Sequence, residues 1–348
     1  MFVVYTTENN LNRICAEKDN SWHKIIRKVK EVVISSAVGE TWDAGNVMLQ
    51  NLHKAGVKIY VDNDFINQIV TTNPEVVLED PCAAFLLDVD QATADKIQQK
   101  YGVICQPQNE DTNILVQKGW SINTADPSKE NSWKFFFSDH NCPLNSIVII
   151  DRYFFSSEVG ESIDDSLFNL EQILDNLLPE RCADNIMQVT LIFDFSTFKH
   201  ERDKKGDGSN YTFKSLAERV NKVKRNVRTY VYTLELLSIN SDCYRYEDTH
   251  DRRIIANLNI TEALHKLKAF TSDKRSLCGQ NITFKRLFEE GLEYGDKSTL
   301  PAFVQNAILD SIIDSIKISK STMEYACNGQ VAAIGSFEIQ NRLLQEKQ

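Results

Sequence analysis

Three stretches constrain the fold most. Asn145-Ser-Ile-Val-Ile-Ile-Asp151, Gln188-Val-Thr-Leu-Ile-Phe-Asp194 and Arg228-Thr-Tyr-Val-Tyr-Thr-Leu-Glu-Leu236 carry apolar residues in near-continuous runs rather than at alternate positions. A strand written that way is covered on both faces, as the inner strands of a parallel sheet are. Helical patterns at Ser166 to Leu178 and Tyr211 to Lys224 separate the runs. Parallel strands joined by helices cross over in the right-handed sense, so their carboxyl ends gather on one edge. Asp151-Arg152-Tyr153 and Asp194 are delivered there.

The first third of the chain repeats the alternation. Phe2 to Tyr5, Val57 to Val61, Ala83 to Leu87 and Val103 to Cys105 are expected strands. Ser21 to Ile34, with Ile25, Val29, Val32 and Val33 on one side, is an expected amphipathic helix. Asp43 is a candidate cap for the helix that ends at Lys54-Ala55-Gly56, and Gln91 to Tyr101 is a helix closed by Gly102. The fold class is therefore α/β. The length of 348 residues and the polar stretch from Asn123 to Ser132 suggest two units, 1–125 and 130–348, the second carrying a C-terminal helix at Ala302 to Ile318 and a tail. Ile260 to Phe270 reads as a helical turn.

Composition narrows the function classes. A net charge of −10 repels polyanions, so contact with nucleic acid needs a local basic patch. Eight cysteines are scattered without a C-x-x-C pair, which fits reduced interior thiols better than a zinc site or a disulfide scaffold. The N-terminus lacks the pattern of a secretory signal, and no apolar run is long enough to span a membrane. The expectation is a cytoplasmic protein. Walker, dinucleotide-binding and nucleophile-elbow motifs are absent, and neither a cofactor nor a metal is expected. Asp62, Asp64, Asp88 and Asp90 at strand ends would suit a two-metal nuclease, and Asp62-Asn63-Asp64 resembles the first strand of a PIN-type nuclease. Capping of the helices that follow is the more economical role for these acids.

The strongest chemical signal is Thr249-His250-Asp-Arg252-Arg253-Ile-Ile-Ala-Asn257-Leu-Asn259. On a strand, His250 and Arg252 share one face, offering an imidazole beside a permanent cation, a pairing suited to an oxyanion. A run of buried strands and helices leading into this segment resembles one half of the phospholipase D superfamily, whose signature is H-x-K-x(4)-D. His250 falls on the histidine, Arg252 on the lysine and Asn257 on the aspartate, over about residues 145–290. The His-Asp-Arg form is closer to the phospholipase-D-like domains of bacterial proteins and of the C-termini of MIT-domain proteins, several of which bind rather than cleave.

The resemblance implies a site at His250, Arg252 and Asn257, with Arg152, Arg253, Asn259 and Arg275 as phosphate-binding support. It implies a nucleic acid or nucleotide ligand, and a scaffold or effector role in a bacterial complex of the antiviral-defence kind. Two alternatives stay open. One is a metal-independent phosphodiesterase or nuclease with His250 as nucleophile, which would need a homodimer to bring two motifs together. The other is a module that binds a protein partner through its acidic surface and the Ala302 to Ile318 helix. The structural alternative makes His250 a hydrogen-bonded residue in a turn, with Arg252 paired to Glu247 or Asp248.

Overall fold

The computed structural model describes residues 2–36, 47–107, 114–126, 132–156, 162–198, 211–239, 252–272, 276–277, 279–289 and 299–346. His250, Arg275 and Asp43 lie outside these residues.

The chain is an α/β protein built on two sheets. The first has five parallel strands: β1 (Val3–Thr7), β2 (Glu31–Ser35), β3 (Lys58–Val61), β4 (Ala83–Leu87) and β5 (Ile104–Pro107), in the order β3-β2-β1-β4-β5. Helices α1 (Glu8–Ala16), α2 (Ser21–Ile26) and α3 (Val47–Lys54) cover one face, and α4 (Asn63–Thr71) with α5 (Gln91–Tyr101) cover the other. Asp62 and Asp90 are the N-caps of α4 and α5, accepting from the N–H groups of Phe65 and Thr93 at 2.8 and 2.7 Å. That is the capping role for two of the four carboxylates. Among the described residues no group of three His, Cys, Asp or Glu side chains could hold a metal ion.

One expected helix is corrected. Apolar spacing suggested helix from Ser21 to Ile34, yet α2 stops at Ile26 and Glu31–Ser35 is strand β2, paired in register with β1 from Val3↔Glu31 to Thr7↔Ser35. Val32, Val33 and Ile34 are β-branched, lose rotamer freedom in a helix and pack well on a pleated surface, so the tertiary pairing wins.

The second sheet has nine strands in the order β14-β13-β9-β8-β7-β10-β11-β12-β6. They are β6 (Trp120–Asn123), β7 (Ser146–Ile150), β8 (Gln188–Phe193), β9 (Thr233–Ser238), β10 (Arg252–Ala256), β11 (Asn259–Ala263), β12 (Asn281–Arg286), β13 (Glu324–Cys327) and β14 (Gln330–Val331). Only β7, β8 and β9 run parallel; β10 lies antiparallel to β7 on one side, and β13 antiparallel to β9 on the other. Because β6 pairs with β12, the chain changes sheets between Pro107 and Trp120, ahead of the polar stretch expected to divide it. Asn259–Ala263 is strand rather than helical turn, zipped to β10 across a tight reversal at Asn257-Leu258.

Helices α6 (Trp133–Phe136), α7 (Ile163–Leu177) and α8 (Phe213–Val227) pack on one face of this sheet. On the other face lie α9 (Pro301–Ser319) and the C-terminal segment. Capping boxes at Ser162/Asp165 and Thr212/Ser215 start α7 and α8. The C-terminal segment is tied down by Glu235, a fully buried carboxylate on β9. It accepts hydrogen bonds from Thr190 Oγ1 (2.7 Å), Tyr325 Oη (2.6 Å) and the N–H groups of Gln340 (2.7 Å) and Asn341 (3.2 Å).

The two sheets meet along an apolar seam. Phe2 packs edge-on against Phe288 at 5.0 Å, and Leu258, Leu287 and Ala302 of the second unit join the core under α1 to α3. Gly102, at φ +63°, closes α5 in the left-handed region, and a Cβ there would stand 2.1 Å from the carbonyl oxygen of Leu144. Asn145 Nδ2 donates to Tyr101 O at 2.8 Å across the same seam.

Candidate phosphate site at the edge of the second sheet

The carboxyl end of β7 and the start of β10 stand side by side because the two strands run antiparallel. The ladder pairs Arg253 with Ile150, so one step further Arg252 faces Asp151. Residues 147 and 149 of β7 and 254 and 256 of β10 belong to the core under α7, and Asp151 and Arg252 extend that same face. Arg252 is half-buried, with its guanidinium 5.9 Å from the centre of the Tyr153 ring. Arg152 lies 5.1 Å from the same ring, and its Nε is 3.5 Å from Asp194 Oδ2 at the end of β8. Two guanidiniums, one from the turn after β7 and one from the start of β10, thus gather around one tyrosine.

Asp151 is fully buried at the centre of this edge. Its Oδ1 accepts from the N–H of Tyr153 (3.0 Å) and its Oδ2 from the N–H of Leu267 (2.9 Å). Burial pushes its carboxyl up from the usual range; the Leu267 N–H, the Arg252 charge, the Tyr153 N–H and the Lys268 charge pull the other way. Lys268, itself 1% exposed, reaches the carbonyl oxygen of Ser156 with its ammonium. Ser156 Oγ and Thr197 Oγ1 are 3.0 Å apart and bridge the ends of β7 and β8, and Asp194 Oδ1 accepts from Ser196 N (2.9 Å) and Oγ (2.5 Å). Three cations and two carboxylates make the edge locally cationic in an acidic chain, and the half-buried arginines are the members that a ligand can reach.

Three of the other expected site residues, Arg253, Asn257 and Asn259, are not part of this edge. Arg253 points to the opposite face, as period-two alternation requires, and is held by Glu262 Oε1 at 3.2 Å; Lys285 binds the other oxygen of the same carboxylate. Desolvation acts to raise the Glu262 pKa, but Lys285 and Arg253 outweigh it and the net shift is downward. Asn257 lies just past the far end of β10, roughly 17 Å along the strand direction from Arg252 at about 3.3 Å per residue. It is 1% exposed, and its amide is spent on the seam: Oδ1 accepts from the N–H groups of Asn145 and Ser146, and Nδ2 donates to Pro81 O and Asn145 Oδ1.

Asn259 is likewise buried, with Nδ2 3.3 Å from His140 Nε2. These placements set Arg253, Asn257 and Asn259 apart from the Arg152–Arg252 edge: with four residues between them along a straight strand, Arg252 and Asn257 are separated rather than joined.

Sequence reasoning placed Arg152 and Arg252 together and missed Asp194 and Lys268 as members of the site. Asp194 carried a signal, since it ends a buried parallel strand in the same way as Asp151. Lys268 carried none, because its burial depends on a segment returning from β11 to the end of β7. No protein-family model, curated protein or solved structure matches this chain. Among the described residues no helix is long and apolar enough to cross a membrane.

Proposed function

We propose that the protein binds a phosphate-bearing partner, nucleic acid or nucleotide, at the edge formed by Arg152, Tyr153 and Arg252, and serves as a scaffold or effector subunit rather than a hydrolase. The observation that carries this reading is the convergence of two half-buried guanidiniums, one from the turn after β7 and one from the start of β10, on one aromatic ring. Guanidinium forks match phosphate oxygens, and an aromatic face beside them can receive a base. The buried Asp151 and Lys268 hold the floor of the edge in place. The resemblance of the His250 segment to phospholipase-D-like domains supports the same ligand class. The commitment of the Asn257 amide to Asn145, Ser146 and Pro81 favours binding over turnover, because the third member of the motif has no hydrogen-bonding group to spare for tuning a histidine.

The test is fluorescence anisotropy with a labelled nucleoside triphosphate and with a short labelled oligonucleotide. Arg152→Ala and Arg252→Ala are each expected to weaken binding about tenfold or more, since a hydrogen bond to a charged group contributes ~1.5–3 kcal/mol. A double variant that binds both probes as the parent does would overturn the reading. Phosphodiester cleavage in EDTA that His250→Ala abolishes would replace it with the enzymatic one.

A further inference from the structure

A cleft of about 1840 Å³ lies between α5 of the first unit and the α6–α7 side of the second, and it shares no lining residue with the Arg152–Arg252 edge. Small-molecule pockets run to roughly 300–1,000 Å³, so this one is large for a single nucleotide. It is elongated: Phe168, Gln172 and Asp175 line it along one side of α7, and from Phe168 to Leu178 a helix rises about 15 Å.

Its charge runs against that of the molecule. The lining holds five Lys and Arg side chains against three acids, in a chain of net charge −10. One of the acids, Asp175, is already paired with Arg228 at 2.5 Å. Lys96, Lys100, Lys134 and Arg181 are exposed to the opening, with Asp95 and Glu180 as the remaining acids. Phe135 stands on the rim with 39% of its surface exposed.

Behind the wall lies a second, independent observation. Arg286 is 3% exposed and donates to Ile114 O (2.8 Å), Asn141 Oδ1 (3.1 Å) and Cys142 Sγ (3.1 Å), with its guanidinium 5.7 and 5.6 Å from the centres of the stacked rings of Trp120 and Phe284. Among the described residues no carboxylate pairs with it, and its Nε has no acceptor. Asn141 and Cys142 belong to the cleft lining, so an uncompensated positive charge sits immediately beneath the surface, where the low dielectric carries its field outward. His140, in the same wall, has its pKa pushed down to about 4, first by burial and then by Arg286.

We infer that this cleft is a binding groove for single-stranded nucleic acid, in which Lys96, Lys100, Lys134 and Arg181 follow the backbone and Phe135 stacks on a base. A duplex keeps its base faces stacked inside, whereas a single strand presents them to an exposed ring. The groove is a separate surface from the edge of the second sheet and stands or falls independently of it.

The test is anisotropy of labelled oligo(dT) and oligo(rU) of about 20 nucleotides over a range of salt, with Lys96→Glu/Lys134→Glu and Phe135→Ala as variants at exposed positions. The double reversal is expected to weaken binding at least about tenfold and to lower the log–log salt slope by roughly 1.4, that is ~0.7 for each lost phosphate contact. Phe135→Ala should weaken it about fivefold or more with the slope unchanged. Unchanged affinity and slope in both variants would overturn the groove, as would a duplex bound as tightly as the single strand and indifferent to Phe135. Loss in the Arg152 and Arg252 variants with these two unaffected would leave the ligand at the edge alone, which also overturns the groove. Loss in these two with the arginine variants unaffected would uphold the groove and refute the edge.

Discussion

Replacing Asn257 separates a structural role from a place in the site. The side chain is 1% exposed and makes four hydrogen bonds: from Asn145 N (2.8 Å) and Ser146 N (2.9 Å) to Oδ1, and from Nδ2 to Pro81 O (2.6 Å) and Asn145 Oδ1 (2.9 Å). Asn257→Ala strands two backbone N–H groups and a carbonyl inside the seam. At ~1–3 kcal/mol per orphaned group, with partial relief from an entering water, the cost is about 3–5 kcal/mol. An unfolding entropy of ~2.1 cal/mol/K per residue over 348 residues converts that to a fall in Tm of roughly 4–7 °C.

Asn257→Asp supplies the aspartate of the H-x-K-x(4)-D motif that the segment resembles, but buries a carboxylate against two acceptors, Pro81 O and Asn145 Oδ1. Its folded pKa should be raised above the unfolded value. The loss in Tm should then be largest at neutral pH and shrink as the pH falls and the acid takes up a proton. Differential scanning calorimetry at several pH values, with phosphate-ligand affinity measured on the folded fraction, gives both readouts. Tm within about 1 °C of the parent in both variants would refute the structural argument, and phosphodiesterase activity gained by Asn257→Asp without loss of Tm would return the residue to a catalytic motif.

Glu235→Gln keeps one of the two acceptor oxygens and turns an amide N–H toward a backbone N–H of Gln340 or Asn341. The expected cost is about 2–4 kcal/mol, together with earlier proteolytic release of the C-terminal residues in limited digestion; unaltered digestion would refute the anchoring role. His140, lowered from 6.5 to about 4, is neutral in the folded protein and protonates more readily when unfolded. Stability should therefore fall as pH drops from about 6.5 to about 4, and His140→Phe should flatten that limb in urea titrations.

Much of the frame is legible in the sequence because it rests on local pattern. The runs ending at Asp151 and Asp194 could only be strands covered on both faces, and the polar residues after them had to emerge at one edge. That placed Arg152 and, through the strand after His250, Arg252. What escaped depends on partners distant in sequence. Val32 to Ile34 carry a spacing that serves either a helix or a strand, and pairing with β1 decides it. Ile260 to Phe270 reads as a helical turn, yet its first residues, Ile260 to Ala263, are zipped to β10. Lys268 and Arg286 are buried cations whose surroundings come from segments more than a hundred residues away, which no window along the chain can sense.

The seam between the two sheets bears on how such a chain can be inherited. Phe2 finds its cover in Phe288, Leu258 and Leu287 complete the core under α1 to α3, and Gly102 lets the backbone of Leu144 come close enough to seal the gap. The second half has a closed core of its own under α6 to α8, but the core under α1 to α3 is finished only by side chains of that second half, so the first half taken alone would leave an apolar face open to water.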